Sequence, residues 1–177
     1  VVASDRNENI IIFGDKIGYI YCVNPCSKEY LWNFKLNEEI SIIKIIDDKV
    51  FVGCKYGYLY VFDLKIGNII GCFEGENTII GIEKVGDLIY IGCRNRWIYA
   101  LNYSLNKVFE KRFNKSLSGM GVVGNKLIVA EYFGKIYCLD GNKILWELYK
   151  RGITNITTKN NKIAVSCVSE VYLLDDK

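Results

Sequence analysis

The chain has 177 residues and no histidine, which removes the commonest general base and metal ligand and the usual partner of a nucleophilic serine or cysteine. It has only one proline and one methionine. Its apolar runs, such as residues 10–13, are far shorter than the ~20 residues that a membrane-spanning helix requires. These absences argue against histidine-based catalysis, and we expect no membrane span.

Two further features limit the partners that we expect. The seven cysteines are an odd number and cannot all pair within the chain, and free thiols fit a reducing, cytoplasmic location. The 23 basic and 20 acidic residues give a net charge of +3. Because nucleic-acid binders cluster their basic residues and these are scattered along the sequence, we expect no nucleic-acid partner.

What the chain does contain is a repeat. The phrase G-K-I-Y-C-L-D within residues 134–148 recurs as G-Y-I-Y-C-V-N, G-Y-L-Y-V-F-D and R-W-I-Y-A-L-N, and a shortened form lies near the C-terminus. A tyrosine at its centre recurs at intervals of 39, 39, 38 and 35 residues, at Tyr21, Tyr60, Tyr99, Tyr137 and Tyr172. A period of this length indicates a repeat architecture.

Each repeat divides into four short strands. In the second copy these are residues 40–46, 50–54, 58–62 and 68–73, separated by turns rich in Gly, Asp and Asn. Because no segment has a sustained helical period, we predict an all-β chain. Four antiparallel strands per ~40 residues are typical of a β-propeller blade, whose two apolar faces are buried by neighbouring blades.

We therefore predict a single β-propeller domain, residues 1–177, with four complete blades and a three-stranded fifth. The repeats cover residues 1–36, 37–75, 76–114, 115–150 and 151–177. The chain starts on a first strand and stops after a third, so we expect it to be part of a larger propeller. The open edge of the last strand would then pair with another chain or with further blades.

The blade motif resembles the PQQ-like, quinoprotein-type β-propeller repeat, to which residues 130–146 are a close match and residues 14–32 a good one. The Gly-His and Trp-Asp dipeptides of WD40 blades are absent, which argues against that subfamily. The resemblance implies that a tryptophan of the fourth strand, Trp32 or Trp146, docks on the next blade. Gly71 and Glu110 are expected at that position in the other two copies, and Arg96 replaces the repeat's glycine.

The resemblance also raises the question of enzyme chemistry. Quinoprotein dehydrogenases of this type use a bound quinone, calcium, a carboxylate base and often adjacent cysteines. The chain has no Cys-Cys pair, and none of its aspartates matches that base by motif. We therefore expect no cofactor and no enzyme activity, as in the BamB-like members that act as scaffolds.

Two local patterns have structural interpretations. Residues 119–124 match the dinucleotide motif G-x-G-x-x-G, but a strand follows where the motif requires a helix, so we interpret them as a first strand and its turn. Cys54, Cys93 and Cys167 share one repeat position, where we expect cysteine to pack as a small hydrophobic residue.

The turns between second and third strands form the candidate partner-binding surface, because we expect them to lie on the same side as the connections between blades. Their exposed aromatic and basic residues are of the kind that concentrates binding energy. The candidates are Lys55, Tyr56, Arg94, Arg96, Trp97, Tyr132 and Phe133.

Two functions remain open at this point. The first is a non-catalytic scaffold that binds a protein or peptide through these turns. The alternative is a domain that binds a quinone-type cofactor in the axial funnel.

Overall fold

Alternating apolar and polar residues between Gly-, Asp- and Asn-containing turns form nineteen strands in the computed structural model, which describes residues 2–175. Every helix or strand element in this described part is a β-strand. The strands form five antiparallel sheets, in the sequential order predicted for blades, with four strands in each of the first four and three in the fifth. The predicted all-β class and strand count are therefore confirmed.

The strands of each blade follow one another in the chain. Blade 1 contains β1 to β4, at Ala3–Arg6, Ile11–Gly14, Tyr19–Val23 and Tyr30–Lys35. Blade 2 contains β5 to β8, at Ile40–Ile46, Lys49–Cys54, Tyr58–Asp63 and Ile69–Glu74. Blade 3 contains β9 to β12, at Ile79–Val85, Leu88–Cys93, Trp97–Leu101 and Lys107–Arg112. Blade 4 contains β13 to β16, at Leu117–Val123, Lys126–Glu131, Lys135–Asp140 and Lys143–Tyr149. Blade 5 contains β17 to β19, at Ile153–Lys159, Lys162–Cys167 and Val171–Asp175.

The chain divides into two compact units, Val1–Ile82 and Glu83–Lys177, and the boundary between them falls inside β9. In the first unit, the facing sides of blades 1 and 2 share one apolar core. Its fully buried members include Ile12, Ile20, Cys22, Val52, Cys54 and Phe62. In the second unit, blades 4 and 5 share an equivalent core, which includes Ile128, Ala130, Ile136, Cys138, Ile163 and Val165. Burial between sheets therefore holds neighbouring blades together, as a stacked repeat requires.

The close approach of neighbouring sheets explains the small residue near the end of each second strand. A Cβ built on Gly14 would lie 2.7 Å from Ile40 Cδ1 of the next blade. On Gly53 it would lie 2.7 Å from Ile79 Cγ2, also of the next blade. The same applies to the G-x-G-x-x-G segment, where a Cβ on Gly119 would lie 2.7 Å from Asn155 Oδ1. This segment is β13 and its turn, as predicted.

A hydroxyl group recurs in the first strand, beside the irregularity where that strand shifts register. Ser118 Oγ donates to Ala130 O at 3.2 Å and Thr154 Oγ1 to Ser166 O at 3.1 Å, and Ser41 Oγ lies within donating distance of both Gly53 O, at 3.0 Å, and Ile79 O of the next blade, at 2.7 Å. Within a blade, such a bond satisfies a carbonyl of the neighbouring strand where the ladder is irregular.

Trp32 docks on the next blade as the repeat resemblance implied. Its side chain is 9% exposed, its ring stacks on Phe62 at 6.2 Å, and its Nε1 donates to Leu64 O at 2.9 Å. Gly67 is required in this contact, because a Cβ there would lie 2.4 Å from Trp32 Cδ2.

Trp146 does not dock in this way, so the expectation for this second tryptophan is wrong. It is 38% exposed, and every residue of β16 is exposed. Trp32 is covered by Phe62, Leu64 and Gly67, which lie in the third strand and the following turn of the next blade, whereas blade 5 is described only through its third strand.

The strand register also corrects which residue of the third copy is equivalent to Trp32 and Trp146. Trp32 pairs with Cys22 and Trp146 with Cys138, and the residue paired with the equivalent Ala100 is Phe109, not Glu110. The turn between β11 and β12 is shorter than its counterpart in blade 1, which shifts the alignment by one residue. Phe109 packs edge-on against Tyr90 of its own blade at 6.0 Å.

The two tryptophans provide a matched test of blade docking. We expect Trp32→Ala to lower the free energy of unfolding by about 3–5 kcal/mol, because it empties a filled space between two sheets. Trp146→Ala should cost about 1 kcal/mol or less, because its ring is already partly in water. Urea denaturation of both variants measures the difference, and equal losses would contradict this account of docking.

Candidate functional site

The turn between the second and third strands has the same backbone geometry in blades 1, 2 and 3. Gly18 (φ 92°), Gly57 (φ 99°) and Arg96 (φ 84°) all have left-handed backbones. Their N–H groups donate to the carbonyl of the residue three positions earlier, at 3.2–3.3 Å. The turn is therefore conserved in shape even where glycine is replaced.

Each of these turns is fastened to the connection that leads to the next blade. The carbonyl of Gly18 accepts from Leu36 N at 2.9 Å, and that of Gly57 accepts from Gly75 N at 3.0 Å. The carbonyl of Arg96 accepts from Phe113 N at 2.9 Å, and that of Gly134 accepts from Lys150 N at 3.3 Å. These bonds confirm that turns and connections lie on the same side of each blade, which we call the turn face.

Arg96 is the exceptional member of this set. A residue with a side chain is disfavoured in the left-handed region, by roughly 1–2 kcal/mol, because its Cβ approaches a backbone carbonyl. Arg96 occupies that region with its side chain exposed. Arg96 therefore combines a strained backbone conformation with a guanidinium group on the surface.

Trp97 follows Arg96 and is half-buried. Its ring stacks on Tyr99 at 6.4 Å, and the guanidinium carbon of Arg112 lies 5.8 Å from the ring centroid. One edge of the indole thus packs on the blade while a cation covers part of its surface. Arg94, two residues before Arg96, is also exposed.

The turn of blade 4 is built differently. Phe133, with φ 49°, takes the left-handed conformation one residue before the glycine position, and its side chain is 54% exposed. Its N–H donates to Ile153 O at 3.1 Å, and its carbonyl accepts from Lys115 Nζ at 2.8 Å. Tyr132 is half-buried, with its ring 6.4 Å from that of Phe133.

A buried carboxylate supports the blade 4 turn from below. Glu131 is 2% exposed, and its Oε1 accepts from Asn114 N at 2.8 Å and Lys115 N at 2.9 Å. Its Oε2 accepts from the hydroxyl of Tyr137 at 3.3 Å. Burial, together with the Glu131 charge, raises the pKa of Tyr137 to about 12. The Glu131 carboxylate therefore links the connection between blades 3 and 4 to the turn through hydrogen bonds, which is a structural role.

In the first unit, the candidates are Lys55 and Tyr56. Lys55 pairs with Glu39 at 2.9 Å, and this hydrogen bond raises the pKa of its ammonium group. Tyr56 is 68% exposed. Lys55 is therefore charged and already paired, whereas Tyr56 presents a bare aromatic ring on the turn face.

A cavity of about 720 Å³ lies on the turn face of blades 4 and 5. Phe133, Tyr149 and Tyr172 supply aromatic walls, and Arg151 and Glu170 supply charges. The ammonium group of Lys150 lies 4.1 Å from the ring centroid of Tyr172. Sequence reasoning singled out only Phe133 of this group.

Within the part of the chain that the structure describes, no three His, Cys, Asp or Glu side chains converge on a position suited to a metal ion. No helix within residues 2–175 has the length and apolarity needed to cross a membrane.

Comparisons with solved structures place this geometry in a known fold. A chain of a mitotic checkpoint complex covers 98% of this chain with a TM-score of 0.88 and 12% identity. Sqt1 of Saccharomyces cerevisiae covers 97% with a TM-score of 0.83 and 13% identity. BBS1N, solved in complex with ARL6DN, covers 92% with a TM-score of 0.79 and 16% identity. The fold is a β-propeller.

These neighbours are WD40-like propellers, and at such identities they show the fold alone. The chain spans 55–60% of the length of these three structures. No family model and no curated protein sequence matches the chain. The finer resemblance to the PQQ-like repeat stays a prediction.

The cysteines allow a direct test of the packing on which this site rests. Burial raises the pKa of Cys22 to about 11 and, with the Glu38 charge nearby, that of Cys54 to about 12. Cys26 and Cys72 are exposed. We therefore expect a thiol reagent at pH 8 to modify Cys26 and Cys72 in the native protein, and to reach Cys22 and Cys54 only after unfolding.

Peptide mapping by mass spectrometry identifies the modified residues, and a sample in guanidinium chloride provides the fully reactive control. Rapid native modification of Cys54 would show that blades 1 and 2 do not pack as described.

Proposed function

We propose that this chain is a non-catalytic β-propeller scaffold that binds a protein or peptide partner through its turn face. The observation that carries the proposal is Arg96, a non-glycine residue at a left-handed position where blades 1 and 2 use glycine. Backbone strain of this kind clusters at functional sites, and the side chain of Arg96 makes no hydrogen bond or ion pair with another described residue.

The composition of the turn face supports the same function. Arg94, Arg96 and Trp97 lie within four residues, and arginine and tryptophan are enriched among residues that dominate binding energy. Tyr56 and Phe133 add exposed rings on other blades. Two of the similar structures are a propeller in complex with ARL6DN and a chain of the mitotic checkpoint complex, so the fold is used in protein assemblies.

The alternative function, a domain that binds a quinone-type cofactor, has less support. Its carboxylate base and adjacent cysteines have no counterpart in the sequence. The visible absorption spectrum of the protein purified from its native source separates the two functions, because a bound quinone would absorb there and a scaffold would not.

Replacement of Arg96 by glycine tests the proposal. We expect Arg96→Gly to raise the free energy of unfolding by about 1 kcal/mol, because the backbone strain is relieved. The same change should weaken capture of the native partner in a pull-down, because the guanidinium group is lost. Stability is measured by urea denaturation and capture by quantitative mass spectrometry.

Tyr103→Ala provides the control, since Tyr103 is an exposed aromatic residue at the opposite end of β11. It should leave partner capture unchanged. If Arg96→Gly captures the same proteins in the same amounts as the wild type, the turn face of blade 3 is not the binding surface.

We also propose a second attachment point, the outer edge of β19. The other four sheets have a fourth strand at this place, whereas in the described residues β19 is the edge of its sheet. Val171 is 72% exposed and Leu173 62% exposed. An apolar edge of this kind is a template for an added strand from another polypeptide.

A charge placed on this edge tests the second proposal. We expect Leu173→Lys to reduce any association through β19 without lowering the melting temperature, because the lysine side chain would remain in solvent. Sedimentation velocity at several protein concentrations measures the association. Leu145→Lys on the exposed strand β16 is the matched control, and equal effects of the two variants would contradict a role for the β19 edge.

A further inference from the structure

The turn face of the second unit has a charge distribution that the linear sequence conceals. On the turn face, blade 3 contributes Arg94, Arg96 and Arg112. The connection between blades 4 and 5 contributes Lys150 and Arg151. The charges that appear scattered along the chain are thus brought to one side of these blades.

These guanidinium groups lack carboxylate partners among the described residues. Arg112 faces the ring of Trp97, and Arg94, Arg96 and Arg151 are exposed without an ion pair. By contrast, Lys135 on the same blades is neutralised by Glu147. Basic groups of one sign on one surface attract anions, so these unpaired arginines favour a negatively charged partner.

Hydrogen bonds link the turns and connections that carry these basic residues. The carbonyl of Arg96 accepts from Phe113 N, and the next two residues of that connection are held by Glu131. Tyr132 N donates to Ser116 O at 2.9 Å, and Phe133 N donates to Ile153 O at 3.1 Å. The path from Arg96 to Arg151 therefore runs through bonded turns and connections.

The cavity at the end of this path takes a different kind of group. Its volume is about 720 Å³, and the rings of Phe133, Tyr149 and Tyr172 on its walls can contact an apolar or aromatic side chain beside the charged groups of Arg151 and Glu170. A partner that fits both features has acidic residues followed by an apolar anchor.

We infer that the turn face of blades 3 to 5 binds an acidic peptide segment, whose carboxylates pair with Arg94, Arg96, Arg112 and Arg151 and whose apolar side chain fills the Phe133–Tyr149 cavity. This inference rests on the proposed function and deepens it by giving the chemistry of the partner. Arginine suits this task because its planar donors match a carboxylate in a bidentate geometry.

An acidic peptide is favoured over a nucleic acid by the surroundings of the cavity. The rings of Phe133, Tyr149 and Tyr172 line part of the cavity, and a phosphate backbone has no apolar group that would fill it. The apolar walls also need a side chain that an acidic polypeptide can supply.

The test uses a fluorescein-labelled ten-residue peptide of glutamates with one central tryptophan, and the same peptide with glutamine in place of glutamate. We expect the acidic peptide to bind the full chain, the glutamine peptide to bind at least about tenfold more weakly, and binding to weaken as salt is raised. Fluorescence anisotropy measures all three.

Two charge-matched triple variants locate the site. Arg94→Gln, Arg112→Gln and Arg151→Gln together should reduce affinity about tenfold or more, with the melting temperature retained. Lys126→Gln, Lys143→Gln and Lys159→Gln together remove the same charge at the opposite ends of the strands and should have a much smaller effect. Phe133→Ala should weaken the peptide that carries tryptophan and leave an all-glutamate peptide unaffected.

Four results would overturn the inference: no binding of the acidic peptide, equal binding of the glutamine peptide, equal losses in the two triple variants, or tighter binding of a uridine oligonucleotide of equal charge. The last would make the surface a nucleic-acid site. The pull-down of the native partner with Arg96→Gly distinguishes failure of this inference from failure of the proposed function. If partner capture depends on Arg96 but acidic peptides do not bind, the inference is wrong and the proposed function stands.

Discussion

The fold depends on how closely the first strand of one blade approaches the second strand of the blade before it. At Gly14 and Gly53 a single methyl group would overlap an isoleucine of the next sheet. Because an isolated sheet would expose an apolar face on each side, this contact is what allows every blade to bury its core residues.

The same constraint explains residues that otherwise look unrelated. A Cβ on Gly92 would lie 2.1 Å from Met120 Sδ, so the chain's only methionine fills the space left by a glycine. A flexible thioether suits such an irregular gap. Cysteine occupies other tight positions, at Cys22, Cys54 and Cys138, because its side chain is small and apolar when buried.

The strands, turns and blade boundaries could be predicted from the sequence because all three follow from a period-2 pattern repeated at a fixed interval. Residues 40–46 were predicted as a strand and form β5 with the same bounds. The position of Phe109 could not be found by counting, because the preceding turn differs in length and only strand pairing restores the register. The exposure of Trp146 depends on what lies beside it in space, and a motif records only what lies beside it in sequence.

The candidate site was predictable only in part. Arg96 was visible as a break in the glycine rule, and the structure adds its positive φ. Arg112, Lys150 and Arg151 were missed because they lie far from Arg94 and Arg96 in the sequence and outside the turns between second and third strands. A signal was available, since R-F-N-K at residues 112–115 and Y-K-R-G at residues 149–152 are the same inter-blade connection in successive copies.

The fastening of every turn to a neighbouring connection has a consequence for recognition kinetics. Because the carbonyls of Gly18, Gly57, Arg96 and Gly134 are already bonded, the backbone beneath the candidate surface loses little freedom when a ligand arrives. A ligand would therefore bind a preformed surface rather than a loop that must fold around it. Encounter would then be limited by diffusion and orientation rather than by rearrangement of the propeller.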